Sequence, residues 1–337
     1  MNGLFTPRAA HVPAARHQYV FDAAAEPALV VEPGATIVIE TLDCFSNRLG
    51  AGAPTLRDEN DILDYIGGRY NPVNAPIFVE GAEPGDRLAV DIVDIALGRR
   101  ERYAVTHVAH DWAAGFGGAA FADAAAPVLT IAEIEGESVH LRIGGTTRIC
   151  RAQPMIGTIG TAPAGRALSS LLYGAGHGGN LDCPHVRPGA TMLLPVNVLG
   201  GLLSLGDVHA LMGEGELTGT ALETSADVTV RIRLERHPDR PLPAPRISDG
   251  EGLGVLGCVS RTSLEDNVAA AMHDLVMLLR DEIGIASAEA LQLVNLFGRI
   301  VVNQAVGSGA ERWLSVLARM SWADLELFAP QAAAMRP

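Results

Sequence analysis

The chain has 337 residues, 48% apolar and 19% charged, with mean hydropathy +0.21, which excludes a disordered chain and leaves enough apolar material for a large core. Its 25 basic residues against 39 acidic ones give a net charge of −14, a surface that repels phosphate backbones and anionic lipid, so neither nucleic acid nor membrane is an expected partner. Every basic residue is arginine; with no lysine, Schiff-base chemistry, a phosphate-loop lysine and the Ser–Ser–Lys and Cys–Glu–Lys routes to amide cleavage are excluded.

In chain order, the start (MNGLFTPRAAHVPAARHQYVF) lacks the basic-then-apolar pattern of a secretory leader. Cys44, Cys150, Cys183 and Cys258 lie far apart and read as reduced thiols. Both features predict a cytoplasmic protein. Thr36 to Glu40 reads as a strand with Asp43 just past its end. Leu88, Val90 and Ile92 alternate with Arg87, Ala89 and Asp91, and Val139, Leu141 and Ile143 with His140, Arg142 and Gly144. Val228, Val230, Ile232 and Leu234 repeat the pattern. Gly–Pro punctuation between these runs, as in Glu83-Pro84-Gly85-Asp86, predicts a sandwich or barrel of short strands.

After residue 236 the chain changes character. Four prolines (Pro238, Pro241, Pro243, Pro245) mark a stiff crossing segment. Ser263-Leu264-Glu265-Asp266 then offers a helix start, Val268, Met272, Leu275, Val276 and Leu279 follow at helical spacing, and Gly284 ends the run. A second helix is expected from near Ser287, with Leu291, Val294 and Ile300 among its apolar positions. The expected organisation is a β-sandwich part over 1–150, a β-rich core over 151–236 and an α-helical or α+β part over 246–337.

Several motifs carry bland readings. Gly174/Gly176/Gly179 and Gly252/Gly254/Gly257 match G-x-G-x-x-G, but neither opens a helix directly, so a nucleotide site is not expected. His107 and His110 beside Asp111, and Cys183 with His185, have spacings a metal could use, although solvated or core histidines explain them as well. Cys44 or Cys183 as a nucleophile lacks a histidine at a defined spacing.

One stretch differs. Gly206 to Glu216 (GDVHALMGEGE) directly follows an apolar strand and packs Asp207, Glu214, Glu216 and His209 into a glycine-punctuated turn, with Glu223 seven residues on. Carboxylates about 4 Å apart repel by roughly 4 kcal/mol at an effective dielectric of ~20, so convergence of several requires a proton or a cation. Gly178-Gly179-Asn180-Leu181-Asp182 supplies a carboxamide and another carboxylate on flexible backbone.

At these residues the sequence resembles the acetamidase/formamidase family: GGNLD (178–182), RPGATMLLPV (187–196) and GGLLSLGDVHALMGEGELTGTALE (200–223), supported by PMIGTIG (154–160), VEGAEPGDRLAVDIVDI (79–95) and TLDCF (41–45). Glu214 stands where the family pattern has Asp. The resemblance implies hydrolysis of a small primary amide to carboxylate and ammonia. It implies a β-rich α+β fold: a jelly-roll-like sandwich, a small β-barrel part and C-terminal helices. It also implies a homodimer or dimer of dimers, and a divalent metal, zinc or calcium, in the acidic pocket. On this reading Asp43, Asp182 and His209 hold the metal, Glu216, Glu223 and His209 carry the proton chemistry, and Asn180, Asp207 and Glu214 bind substrate. The rival expectations are another C–N bond (a larger amide, a urea or an amidine) and a non-catalytic ligand-binding module.

Overall fold

The computed structural model describes residues 10–50, 52–54, 56, 59–108, 128–172, 174–238, 240–308 and 311–337. His110 and Asp111 fall outside these, so the spacing with His107 is not tested; His107 itself is buried.

Two large sheets dominate. In the nine-stranded sheet Ala10–Val12, Thr36–Glu40, Ala226–Glu235, Arg87–Leu97, Thr191–Pro195, Arg246–Ser248, Gly252–Gly257, Glu311–Ser321 and Arg299–Ser308 are successive neighbours. The path of the second, eleven-stranded sheet includes Tyr103–Val108, Leu222–Thr224, Ser204–Leu211, Met155–Gly160 and Gly178–Asn180 in that order. Ile37, Leu88, Val90, Met192 and Val230 of the first share one core with Ile156, Ile159, Leu205 and Val208 of the second. Each such side chain contributes about 1.5–3 kcal/mol by leaving water, which holds the sheets face to face. Among the described residues no sheet closes on itself.

The C-terminal helices cover the outer face of the first sheet. Leu264–Leu278 begins at Ser263, whose hydroxyl accepts the Asp266 N–H at 3.0 Å, as its sequence predicts. Ala271, Leu275 and Leu278 pack on Val316, Ala318 and Met320, while Leu317, facing the other way, enters the sandwich core. The next helix, Ser287–Phe297, stops earlier than its apolar spacing suggests: Gly298 is extended (φ −66°, ψ 148°), and Ile300 belongs to strand Arg299–Ser308. Gly252 and Gly257 have a packing role, since a Cβ at either would strike a backbone oxygen, of Met320 or Asn267. Among the described residues, no helix is long and apolar enough to cross a membrane.

His177, in the turn before strand Gly178–Asn180, is buried against Phe21 edge-on, with ring centroids 5.1 Å apart and neither ring nitrogen hydrogen-bonded. Burial lowers its pKa to about 4. Between pH 6.5 and 4 the unfolded chain therefore binds a proton there that the folded chain does not, and stability falls with falling pH by about 1.4 kcal/mol per unit from this group. Denaturant titrations across that window should show His177→Leu losing this slope. Parallel curves for variant and wild type would show the ring to be protonated in place.

Candidate active site

Four neighbouring strands of the second sheet build one pocket. Val208 points into the sandwich core, so Asp207 and His209 on either side of it are turned to the opposite face. His209 lies directly across the ladder from Glu223 on one side and from Met155 on the other. One strand further, Thr158 pairs with Asn180, and Asp182 follows two residues later.

The side chains converge. His209 Nε2 lies 3.3 Å from Glu223 Oε2, 3.6 Å from Asp207 Oδ1 and 3.7 Å from Asp182 Oδ1. Thr158 Oγ1 donates toward Asp207 Oδ2 (3.1 Å) or Asn180 Oδ1 (3.2 Å), while Asn71 Nδ2 donates to that hydroxyl at 3.0 Å. Asn180 Nδ2 is committed to the Leu171 carbonyl at 2.9 Å. The Ala221 N–H is shared by Glu216 Oε1 (3.1 Å) and Glu223 Oε1 (2.9 Å). All four carboxylates are buried.

Room for this crowd comes from Gly157. A Cβ there would sit 2.8 Å from Asp207 Oδ2 and closer still to Asp182 Oδ1. Backbone strain accompanies the charge: Asp182 (φ 41°), Asp207 (φ 60°) and Glu216 (φ 43°) all occupy the left-handed region.

Electrostatics follow from the geometry. Burial, then Glu216 and Asp207, hold the Asp182 carboxyl well above its usual range. Burial likewise raises Glu216, and raises Glu223 to about 8 against the opposing pull of His209. Burial opposes charge on His209, but Glu223 and Asp207 outweigh it and hold its pKa well above the ordinary imidazole value. The cluster retains protons that isolated carboxylates release.

Asp43 is not brought into this set. Its Oδ1 accepts the Asn47 N–H at 2.6 Å and its own N–H donates to Asn47 Oδ1, so the side chain ties off the turn after its strand. Burial raises it to about 7. Its neighbour Cys44 does line the pocket; burial and the carboxylates hold its thiol well above the usual range, which disfavours a thiolate nucleophile. Glu214 is exposed and faces an outer groove, whereas Glu216, two residues on, turns inward. Cys183 is buried with its thiol raised to about 12, and His185 instead contacts Asp249 (3.1 Å) and Arg319, so the two do not form the zinc pair their spacing allows.

Gln304, like Asn71, Leu171 and Trp313, is a pocket residue that sequence reasoning misses. Its Nε2 donates to Asp182 Oδ2 and reaches Glu216 Oε2 at 3.4 Å. Its strand also grips the loop beneath: the Gly215 N–H donates to the Asn303 carbonyl (3.1 Å), and the Ala305 N–H to the Gly215 carbonyl (2.8 Å). The available signal was a polar Asn303-Gln304 pair inside the otherwise apolar run from Ile300 to Val306.

A divalent cation fits these residues. Asp182 Oδ1, Glu223 Oε2 and His209 Nε2 are buried without hydrogen-bond partners. Ligand-capable atoms of Asp182, His209 and Glu216 lie within 4.8 Å of one another, as do those of Cys44, Asp207 and Glu223.

The chain is thus a strand-rich sandwich with C-terminal helices that carries a buried carboxylate–imidazole cluster. Residues 14–173 and 171–245 match the model of the Acetamidase/Formamidase family, and the chain belongs to that family. It is 24% identical over 250 residues to the formamidase of Methylophilus methylotrophus, a match spanning 61% of this chain and 60% of the relative's length. In solved structures it is similar to a predicted acetamidase/formamidase from the thermophile Thermoanaerobacter tengcongensis (TM-score 0.81, 26% identity, 95% of this chain and 97% of that one). An acetamidase from Bacillus halodurans is comparably similar (TM-score 0.79, 28% identity, 94% and 99%).

Proposed function

We propose that the acidic pocket hydrolyses small primary amides to the carboxylate and ammonia. The observation that carries this reading is the buried convergence of Asp182, Glu216 and Glu223 on His209, in a chain of this family. Amide resonance weakens the carbonyl electrophile and the amine leaves poorly, so catalysis needs an activated water, a partner for the carbonyl oxygen and an acid for the nitrogen.

The chain's own groups supply proton positions. Glu223, raised to about 8, holds a proton on its own carboxyl 3.3 Å from His209 and can pass it to the departing amine. Glu216, fixed by Ala221 N–H and Gln304, is placed to take a proton from the attacking water. Asn180 and Asp207, which line the cavity and are braced by Thr158, orient the amide group. Asp182, His209 and Glu216 would hold the divalent ion, zinc or calcium, with the imidazole favouring zinc. Such an ion supplies Lewis acidity and acidifies bound water.

Size supports a small acyl group. The cavity is small, about 40 Å³, which suits a short acyl group better than a long or aromatic one. Phe45, Leu171 and Trp313 wall the apolar side. Purified protein should therefore release ammonia from formamide and acetamide faster than from propionamide or benzamide. Ammonia no faster than the buffer control across this panel, on protein assayed for bound metal, would overturn the reading.

A cytoplasmic homo-oligomer belongs to the same proposal. In support, all four cysteines are free, and Leu296, Leu327 and Phe328 expose apolar surface on the C-terminal helices.

A further inference from the structure

A second cavity, of about 290 Å³ and sharing no lining residue with the acidic pocket, lies between the outer face of the nine-stranded sheet and the C-terminal helices. Its floor is set by register. Arg233 lies across from Ala89, Ala89 from Leu193 and Leu193 from Arg246, a straight row over four adjacent strands with small or aliphatic residues between two guanidinium groups. Arg87 stands two residues from Ala89 on the same face. Leu253, Leu278 and Trp322 close the apolar side.

The arginines around this cavity are unequally paired. Arg233 is satisfied by Asp91 through bonds of 2.9 and 2.6 Å, and Arg336 by Glu326 at 2.6 Å. Arg87 and Arg246 are 6% and 8% exposed, yet both converge on one oxygen, Glu282 Oε1, at 3.1 and 2.5 Å. Glu235 stands 3.9 Å from Arg87 and is directed largely to solvent. The Nε atoms of both Arg87 and Arg246 are buried without hydrogen-bond partners. Two nearly buried guanidinium groups, of which Arg87 also donates to the Arg240 carbonyl at 2.8 Å, thus share one partly exposed carboxylate oxygen beside an apolar chamber and leave both buried Nε–H groups unpaired.

We propose that this cavity binds a small organic carboxylate. The carboxylate completes the pairing of Arg87 and Arg246, since guanidinium groups match carboxylates in geometry as well as charge. The short hydrocarbon tail lies over Ala89 and Leu193 against Trp322. The volume, near the lower end for ligand pockets, limits the ligand to a small acid.

Calorimetric titration of the intact protein with acetate, butyrate, butanol and inorganic phosphate tests this. Butyrate should bind, more tightly than acetate, with butanol and phosphate weaker by at least about tenfold. Leu193→Trp, which fills the chamber and keeps both arginines, should weaken butyrate at least tenfold, as should Arg246→Met. His209→Ala, in the other pocket, should leave butyrate binding unchanged. Absent butyrate binding, phosphate binding as tight as butyrate, or affinity undiminished in Leu193→Trp would each overturn the proposal. Should Arg246→Met fail to fold, the acid-length series on the wild type still decides it.

Discussion

Replacing His209 by alanine is expected to slow amide hydrolysis by at least about 100-fold, the scale of losing an acid–base or ligand group. The imidazole is fully buried and faces three carboxylate oxygens at 3.3–3.7 Å. No arginine lines this pocket among the described residues, so nothing else there balances the negative charge. Without the ring, the cluster keeps its protons to higher pH, and the remaining activity should require more alkaline conditions. The backbone ladder to Met155 and Glu223 does not depend on the side chain, so circular dichroism should remain native. A near-wild-type rate in a folded variant would remove His209 from the chemistry.

Adding one methyl group at Gly157 should be comparably damaging. The new Cβ would meet Asp207 Oδ2 at 2.8 Å and its carbonyl oxygen at 2.9 Å, with Asp182 Oδ1 nearer still. Neither carboxylate can retreat, because Asp182 is held by Gln304 and Asp207 by Thr158. Gly157→Ala is therefore expected to lower kcat/KM by about 100-fold or more and to destabilise the fold by about 1–3 kcal/mol, the usual overpacking range. Gly250→Ala, where an added Cβ meets nothing within 4 Å, is the matched control and should alter neither. Steady-state kinetics with thermal melts on the pair read both effects. An active, stable Gly157→Ala protein would mean that the carboxylates are not packed as described.

How much of this was legible in the sequence depended on the range of the interaction. Period-2 alternation over Leu88–Ile92 and Val228–Leu234 found strands because one face is buried, a local consequence of pleating. The Ser263 cap was readable for the same reason. Ile300 was misplaced because apolar spacing alone cannot show that the backbone turns extended at Gly298. In the pocket, Asp182, Asp207, His209, Glu216 and Glu223 stood out as polar groups beside glycines and apolar strands, and they do meet. Asp43 looks equivalent at a strand end, yet its carboxylate accepts the Asn47 N–H and is tied into its own turn. Choosing Glu216 over Glu214 as the inward carboxylate depends on strand Arg299–Ser308 gripping Gly215, about ninety residues downstream, and no local pattern encodes that.

The left-handed conformations of Asp182, Asp207 and Glu216 have a consequence for how this protein tolerates change. Glycine or asparagine adopts such backbone at lower cost, and an uncharged side chain there also relieves the repulsion among the carboxylates. The same three positions are thus where selection for a more robust protein and selection for a faster one pull in opposite directions. A library screened for heat resistance alone would accumulate substitutions in this pocket and drift toward sturdy, inert molecules. Thermostability engineering should hold these residues fixed and look to the sandwich core and outer helices instead.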